Sequence, residues 1–80
     1  MDTFASLLST RRAALGIETQ AALRQLLAAR HRAVSTNTVS AWHTGRSVPR
    51  AAMLSVLLDV LQVDATDRLR WQAAAFRGVL

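Results

Sequence analysis

The chain has no cysteine and no lysine. Without thiols, neither a disulfide framework nor a thiolate metal centre can hold the fold. The two histidines, His31 and His43, have no neighbouring ligands in sequence with which to complete a metal set. No apolar run approaches the roughly 18 residues that span a bilayer, and the start, MDTFASLL, lacks the basic residues and cleavage site of a secretory leader. No glycine-rich phosphate loop is present, the acidic residues are scattered, and no Ser/His/Asp set follows from spacing in so short a chain. The expectation is a cytosolic protein that is not an enzyme, with no cofactor, no metal, no small-molecule ligand and no membrane contact.

What is present is apolar and basic. The 80 residues are expected to make one domain, and 51% of them are hydrophobic, which excludes a disordered tail because that much Leu, Val and Ala must be hidden in a core. A domain this small buries a modest share of its surface and is marginally stable. Ten basic residues, all arginine, stand against five acids for a net charge of +5. Arginine's planar fork suits phosphate oxygens and guanine edges. Placement says more than number: from Thr19 to Leu58 the chain carries Arg24, Arg30, Arg32, Arg46 and Arg50 and no acid. A phosphate polymer is the natural partner of such a stretch, although a basic surface kept for solubility has the same composition.

Hydrophobic spacing predicts five helices and no strand, an all-α domain. Over 3–15, Phe4, Leu7, Leu8 and Leu15 share a face, and Gly16 ends the run as a left-handed cap does. Over 19–32, Thr19 caps a segment in which Ala22, Leu23, Leu26 and Leu27 recur at helical spacing. Ser35 caps a short helix over 35–44, with Val39 and Trp42 on one side and Gly45 as its stop. The β-branched STNTV run would by propensity favour a turn or strand, and the cap, the glycine and the helices on both sides decide for helix. Pro49 fits the first turn of a helix over 50–61, whose stripe is Met53, Leu54, Leu57, Leu58 and Leu61. Asp64 or Thr66 caps the last helix, over 65–77, and Leu69, Ala73 and Phe76 form the face expected to complete the core.

Gly16-Ile17, Thr19-Gln20, the leucines at 23, 26 and 27, and the run Val34-Ser35-Thr36-Asn37-Thr38-Val39-Ser40-Ala41-Trp42 form one constellation with the closing Trp42-x-x-Gly45-x-x-x-Pro49 and the LSVLLDVLQV that follows. Together they resemble the Cro and phage-repressor type of helix-turn-helix protein, the lambda-repressor-like or XRE family. The resemblance covers about residues 4–63. It departs at two places: the spacing from Gln20 to Ser35 is longer, with the surplus in AARHRA, and His43 stands where the family usually has Glu. The resemblance implies a compact five-helix lambda-repressor-like domain. It also implies a sequence-specific transcriptional regulator of double-stranded DNA, a repressor, associated with a bacterial or phage nucleoid in the cytoplasm.

To read bases, a helix must present short polar side chains at its exposed start, so that its end fits the major groove. Thr36, Asn37, Ser40 and Ala41 are such residues. Asn37 can pair bidentately with adenine, and Ala41 can touch a thymine methyl, although the same cluster would also serve as a solvated cap. Gln20 and Ser35 stand at helix starts, where backbone N–H groups and the helix dipole attract phosphate. With Thr38 they are candidate clamps. Arg46 and Arg50 flank the Gly–Pro loop, and Arg24, Arg30 and Arg32 lie near the elongated turn; all are candidate phosphate contacts. The RHR run at 30–32 has three placements open to it: a continuation of the second helix, a loop toward DNA, or surface decoration. Trp42 is expected in the core, and His43 at the surface near the DNA backbone.

On the last helix, Trp71, Phe76 and Leu80 are candidate homodimer contacts, the alternative being that they all pack on the first and fourth helices. The rival function is a protein-binding helical module, an antitoxin or adaptor that uses this C-terminal helix over a core that is only scaffold.

Overall fold

The computed structural model describes residues 3–77. Five helices follow one another: α1 (Phe4–Ala14), α2 (Gln20–Ala29), α3 (Thr36–Thr44), α4 (Ala51–Val60) and α5 (Ala65–Arg77). No strand occurs among the described residues. The protein is a small all-α domain whose radius of gyration, 11.4 Å, is close to that of a fully packed chain of about 80 residues. No helix among the described residues is long and apolar enough to cross a membrane.

Four of the helices start on a side chain that satisfies an amide of the first turn. Thr3, Thr19, Ser35 and Asp64 accept from the backbone N–H of Ser6, Ala22, Thr38 and Asp67 at 3.1, 3.0, 3.1 and 2.8 Å. The cap of α5 is therefore Asp64 rather than Thr66, and a carboxylate at that end also complements the helix dipole. The fourth helix begins later than its proline suggested. Arg50 is its N-cap, without a side-chain hydrogen bond, and Pro49 lies outside the helix, buried, where it closes the loop from α3.

The helix ends follow one pattern. Four of them close with a residue in the left-handed region, followed by a backbone N–H that reaches back five residues to a carbonyl: Ile17 to Arg12, Arg32 to Leu27, Arg46 to Ala41 and Val63 to Leu58. This is the Schellman geometry, and it is easiest for glycine. Gly16 (φ 74°) and Gly45 (φ 77°) fit that preference, whereas His31 (φ 59°) and Gln62 (φ 56°) adopt the same conformation with a Cβ. The second helix accordingly stops at Ala29 and does not continue to 32, and RHR forms its cap and the loop after it.

The core is one cluster drawn from every helix, with Leu8, Leu23, Leu27, Val39, Leu57 and Leu61 removed from solvent. Along α2 only Leu23 and Leu27 enter it; Leu26, expected in the same stripe, is exposed. The last helix is turned from its expected setting. Trp71, 2% exposed, and Ala75 face inward, while Leu69 is 71% and Phe76 44% exposed and Ala73 is exposed. Two stripes on this helix fit helical spacing, and the one carrying the large indole buries more apolar area than a leucine would. Trp71 thus belongs to the core and not to a dimer contact, and Leu80 lies outside the described residues.

Charged side chains brace this arrangement from outside. Arg11, on α1, donates to the carbonyls of Leu61 and Gln62 at 2.8 and 2.9 Å. Arg68, on α5, donates to the Val63 carbonyl and pairs with Asp59. The open end of α4 is thereby closed by two cations, the charge that the negative end of a helix dipole favours.

Candidate nucleic-acid interface

The third helix separates a packing side from a polar side. Val39 and Trp42, the latter 2% exposed, are buried, and α3 packs against α1 and α2. Of the four candidate base-reading residues, Thr36 and Asn37 are exposed on the first turn, and Ser40 and Ala41 are half-buried one turn further on. The left-handed Gly45 and the return of the Arg46 amide to Ala41 then end the helix.

Two of the three hydroxyls at the start of α3, those of Ser35 and Thr38, are already engaged. Ser35 Oγ accepts from the Thr38 amide and lies 2.9 Å from Thr38 Oγ1. Ser35 is exposed and Thr38 half-buried, so the pair closes the first turn while the side chains of Thr36 and Asn37 stand clear of the cap. Gln20 is the first residue of α2, half-buried, directly after the Thr19 cap.

The candidate phosphate-binding arginines differ in what they touch. Arg30, Arg32, Arg46 and Arg50 are exposed, and among the described residues none of the four is in an ion pair. They occupy the cap of α2, the connection to α3, the loop after α3, and the N-cap of α4. The Arg46 side chain makes a local bond, from Nε to Thr44 Oγ1 at 3.2 Å. Arg24 is different: its Nε donates to the Val34 carbonyl at 3.2 Å in a partly buried setting. It fastens the end of the α2–α3 connection to α2, which makes it a brace instead of a free cation.

Two residues are more structural than their sequence positions suggested. Arg12, on α1, donates from Nε to the Ile17 carbonyl at 2.9 Å and from Nη2 to the Glu18 carbonyl at 3.2 Å. Its Nη1 lies 2.7 Å from Nε2 of His43. The other ring nitrogen, Nδ1, is 2.8 Å from the Val39 carbonyl, an oxygen that can only accept. Nδ1 therefore carries the hydrogen, and Nε2 offers its lone pair to the guanidinium. His43 was expected at the surface near a DNA backbone. It is half-buried and joins α3 to α1 and to the α1–α2 turn. No local pattern marks Arg12, whose partner is 31 residues away.

Among the described residues no polar or charged side chain is buried, so the chemistry available for recognition lies on the outer surface. No family model matches the chain, and neither a characterised protein nor a solved structure does.

Proposed function

We propose that the protein is a sequence-specific regulator of transcription, a repressor, that binds double-stranded DNA with α3 in the major groove, in the manner of the lambda-repressor-like family its sequence resembles. The observation that carries this reading is the division of α3. Thr36 and Asn37 project from the exposed first turn, and Val39 and Trp42 seat the opposite side in the core. A helix built in this way offers short polar groups to base edges while its back is held by the fold.

The charge distribution supports the same reading. Arg30, Arg32, Arg46 and Arg50 are exposed and come from the segments immediately before and after α3, within the acid-free part of the chain. Contacts to phosphate set register and affinity, and contacts to base edges set sequence. In this reading Asn37, with Thr36, Ser40 and Ala41, reads; the four arginines, with the starts of α2 at Gln20 and of α3 at Ser35 and Thr38, position.

A second interaction is favoured by α5. Leu69, Ala73 and Phe76 leave an apolar stripe exposed on a helix whose other side is in the core. A second copy of the chain is the proposed occupant: a two-fold dimer through this stripe would pair two reading helices, and a palindromic selected site would be its signature. A helical adaptor or antitoxin would use the same stripe for a different protein.

Selection of bound duplexes from a random DNA pool, followed by affinity measured against salt, tests the function. A recurring motif and a log–log slope proportional to the number of phosphates neutralised is the expected result. Binding without sequence preference would reduce the protein to a coating factor, and an affinity indifferent to salt would favour the protein-binding module.

A further inference from the structure

We infer that Arg12 is the positioning residue of the reading helix: its guanidinium sets the rotation of α3 relative to the start of α2 through His43. The inference rests on the DNA-binding reading of α3 and adds to it a residue that touches no DNA.

The argument starts from what apolar packing leaves undetermined. Val39 and Trp42 hold α3 down, but burial is non-directional, and a short helix seated on two side chains can roll about its own axis at little cost. Base readout tolerates misplacement of roughly half an ångström or 10–20°, so a directional restraint is needed. Arg12 supplies it. Two arms of its fork are fixed on the Ile17 and Glu18 carbonyls, at 2.9 and 3.2 Å, in the turn that leads into α2. The third reaches His43 on α3 at 2.7 Å. His43 cannot swing to follow another partner, because its Nδ1–H is held by the Val39 carbonyl of its own helix at 2.8 Å. One planar group thereby ties α1, the approach to α2 and the last turn of α3 together. The elements that carry Gln20 on one side and Thr36, Asn37, Ser40 and Ala41 on the other are held to a common reference.

The chemistry also explains why an arginine is required. Three acceptors in different directions match a rigid fork of five N–H donors, whereas an ammonium is a point charge on a flexible stem. None of the three acceptors is a carboxylate, so the bracket acts by geometry and not by charge neutralisation.

The test compares Arg12→Lys, His43→Ala and His43→Gln with the unaltered chain, at a temperature where circular dichroism shows each variant folded. Three quantities are measured: affinity for the selected site, affinity for unrelated duplex, and amide hydrogen exchange across α3. Arg12→Lys keeps the charge, and His43→Ala removes the acceptor together with the ring and its bond to the Val39 carbonyl. Both are expected to lower the ratio of specific to nonspecific affinity roughly tenfold, about the effect of one mismatched base pair, to leave nonspecific affinity and the salt slope in place, and to speed exchange within α3. His43→Gln restores an acceptor near Nε2 and is expected to recover most of the ratio. A folded Arg12→Lys and His43→Ala pair with the original ratio and exchange overturns the inference, as does an equal loss for both kinds of DNA. If the unaltered chain selects no site, the DNA reading fails, and unchanged α3 exchange in the same variants would still dispose of the bracket. Should Arg12→Lys not fold, the two His43 variants decide alone.

Discussion

Phe4 and Trp71 meet edge to face, with ring centroids 5.8 Å apart and planes at 85°. The contact joins the first and last helices. It gives the indole an aromatic partner inside the core, where sequence periodicity had placed Leu69 and Phe76 instead. Trp71→Ala is expected to cost about 3–5 kcal/mol, as truncation of a buried aromatic does, from a total of roughly 5–10 kcal/mol for a domain this size. Phe4→Leu keeps most of the apolar volume and should lose about 0.5–1.5 kcal/mol from the ring pair. Urea titrations followed by far-UV circular dichroism read both; a Trp71→Ala protein with an unshifted midpoint would place the indole outside the core.

The exposed stripe of α5 makes a separate prediction. Leu69→Arg lies on the surface and should alter folding stability by no more than about 0.5 kcal/mol, while weakening self-association by roughly tenfold or more in sedimentation equilibrium, if Leu69 sits near the centre of the contact. An unaltered chain that sediments as a monomer up to high concentration would remove the dimer from the proposal.

The two left-handed residues other than glycine set up opposite substitutions at equivalent places. His31→Gly and Gln62→Gly relieve a Cβ in the left-handed region and should each raise stability by up to about 1 kcal/mol, less the entropy that glycine adds to the unfolded chain. Gly16→Ala and Gly45→Ala should each lower it by about 1–2 kcal/mol. An added Cβ meets nothing within 4 Å at either glycine, so the cost is conformational alone. Thermal midpoints of the four variants, measured side by side, check the signs.

For DNA, Asn37→Ala is expected to cost about 1–3 kcal/mol at the selected site and to spare nonspecific binding. Arg46→Ala and Arg50→Ala should weaken every duplex by a similar factor and flatten the salt slope by around one unit each. Titrations at several salt concentrations separate these outcomes, and an Asn37→Ala protein that loses both kinds of binding equally would not have lost a base contact.

Five helices, the caps at Thr19 and Ser35 and two glycine stops could be read from the chain because each is a local device: a hydroxyl three residues ahead of an amide, or a glycine after the last apolar position. Sequence reading narrows the cap of α5 to Asp64 or Thr66 and misses the Thr3 cap. The end of α2 could not be read, because His31 performs a glycine's conformation without being one, and the RHR run looked like more helix. The setting of α5 escaped because two stripes satisfied the same spacing and only the partner surface around Phe4 chooses between them. The polar first turn of α3 was legible from composition, whereas Arg12 was not. Its three acceptors lie in a turn and on a distant helix, and the one hint was a histidine directly after Trp42 where the resembling family carries an acid.

The two tryptophans are placed so that the protein carries its own pair of reporters. With no tyrosine in the chain, its near-ultraviolet emission comes from one indole beneath α3 and another between α1 and α5, both 2% exposed. Replacing either one by phenylalanine leaves a single fluorophore that reports on one half of the core. In each variant, a fluorescence curve that coincides with the far-UV circular dichroism curve would mean that its half of the core, with α3 in the variant that keeps Trp42, does not loosen before the whole domain melts. An earlier fluorescence transition in the variant that keeps Trp42 would mean that α3 opens before the rest of the domain.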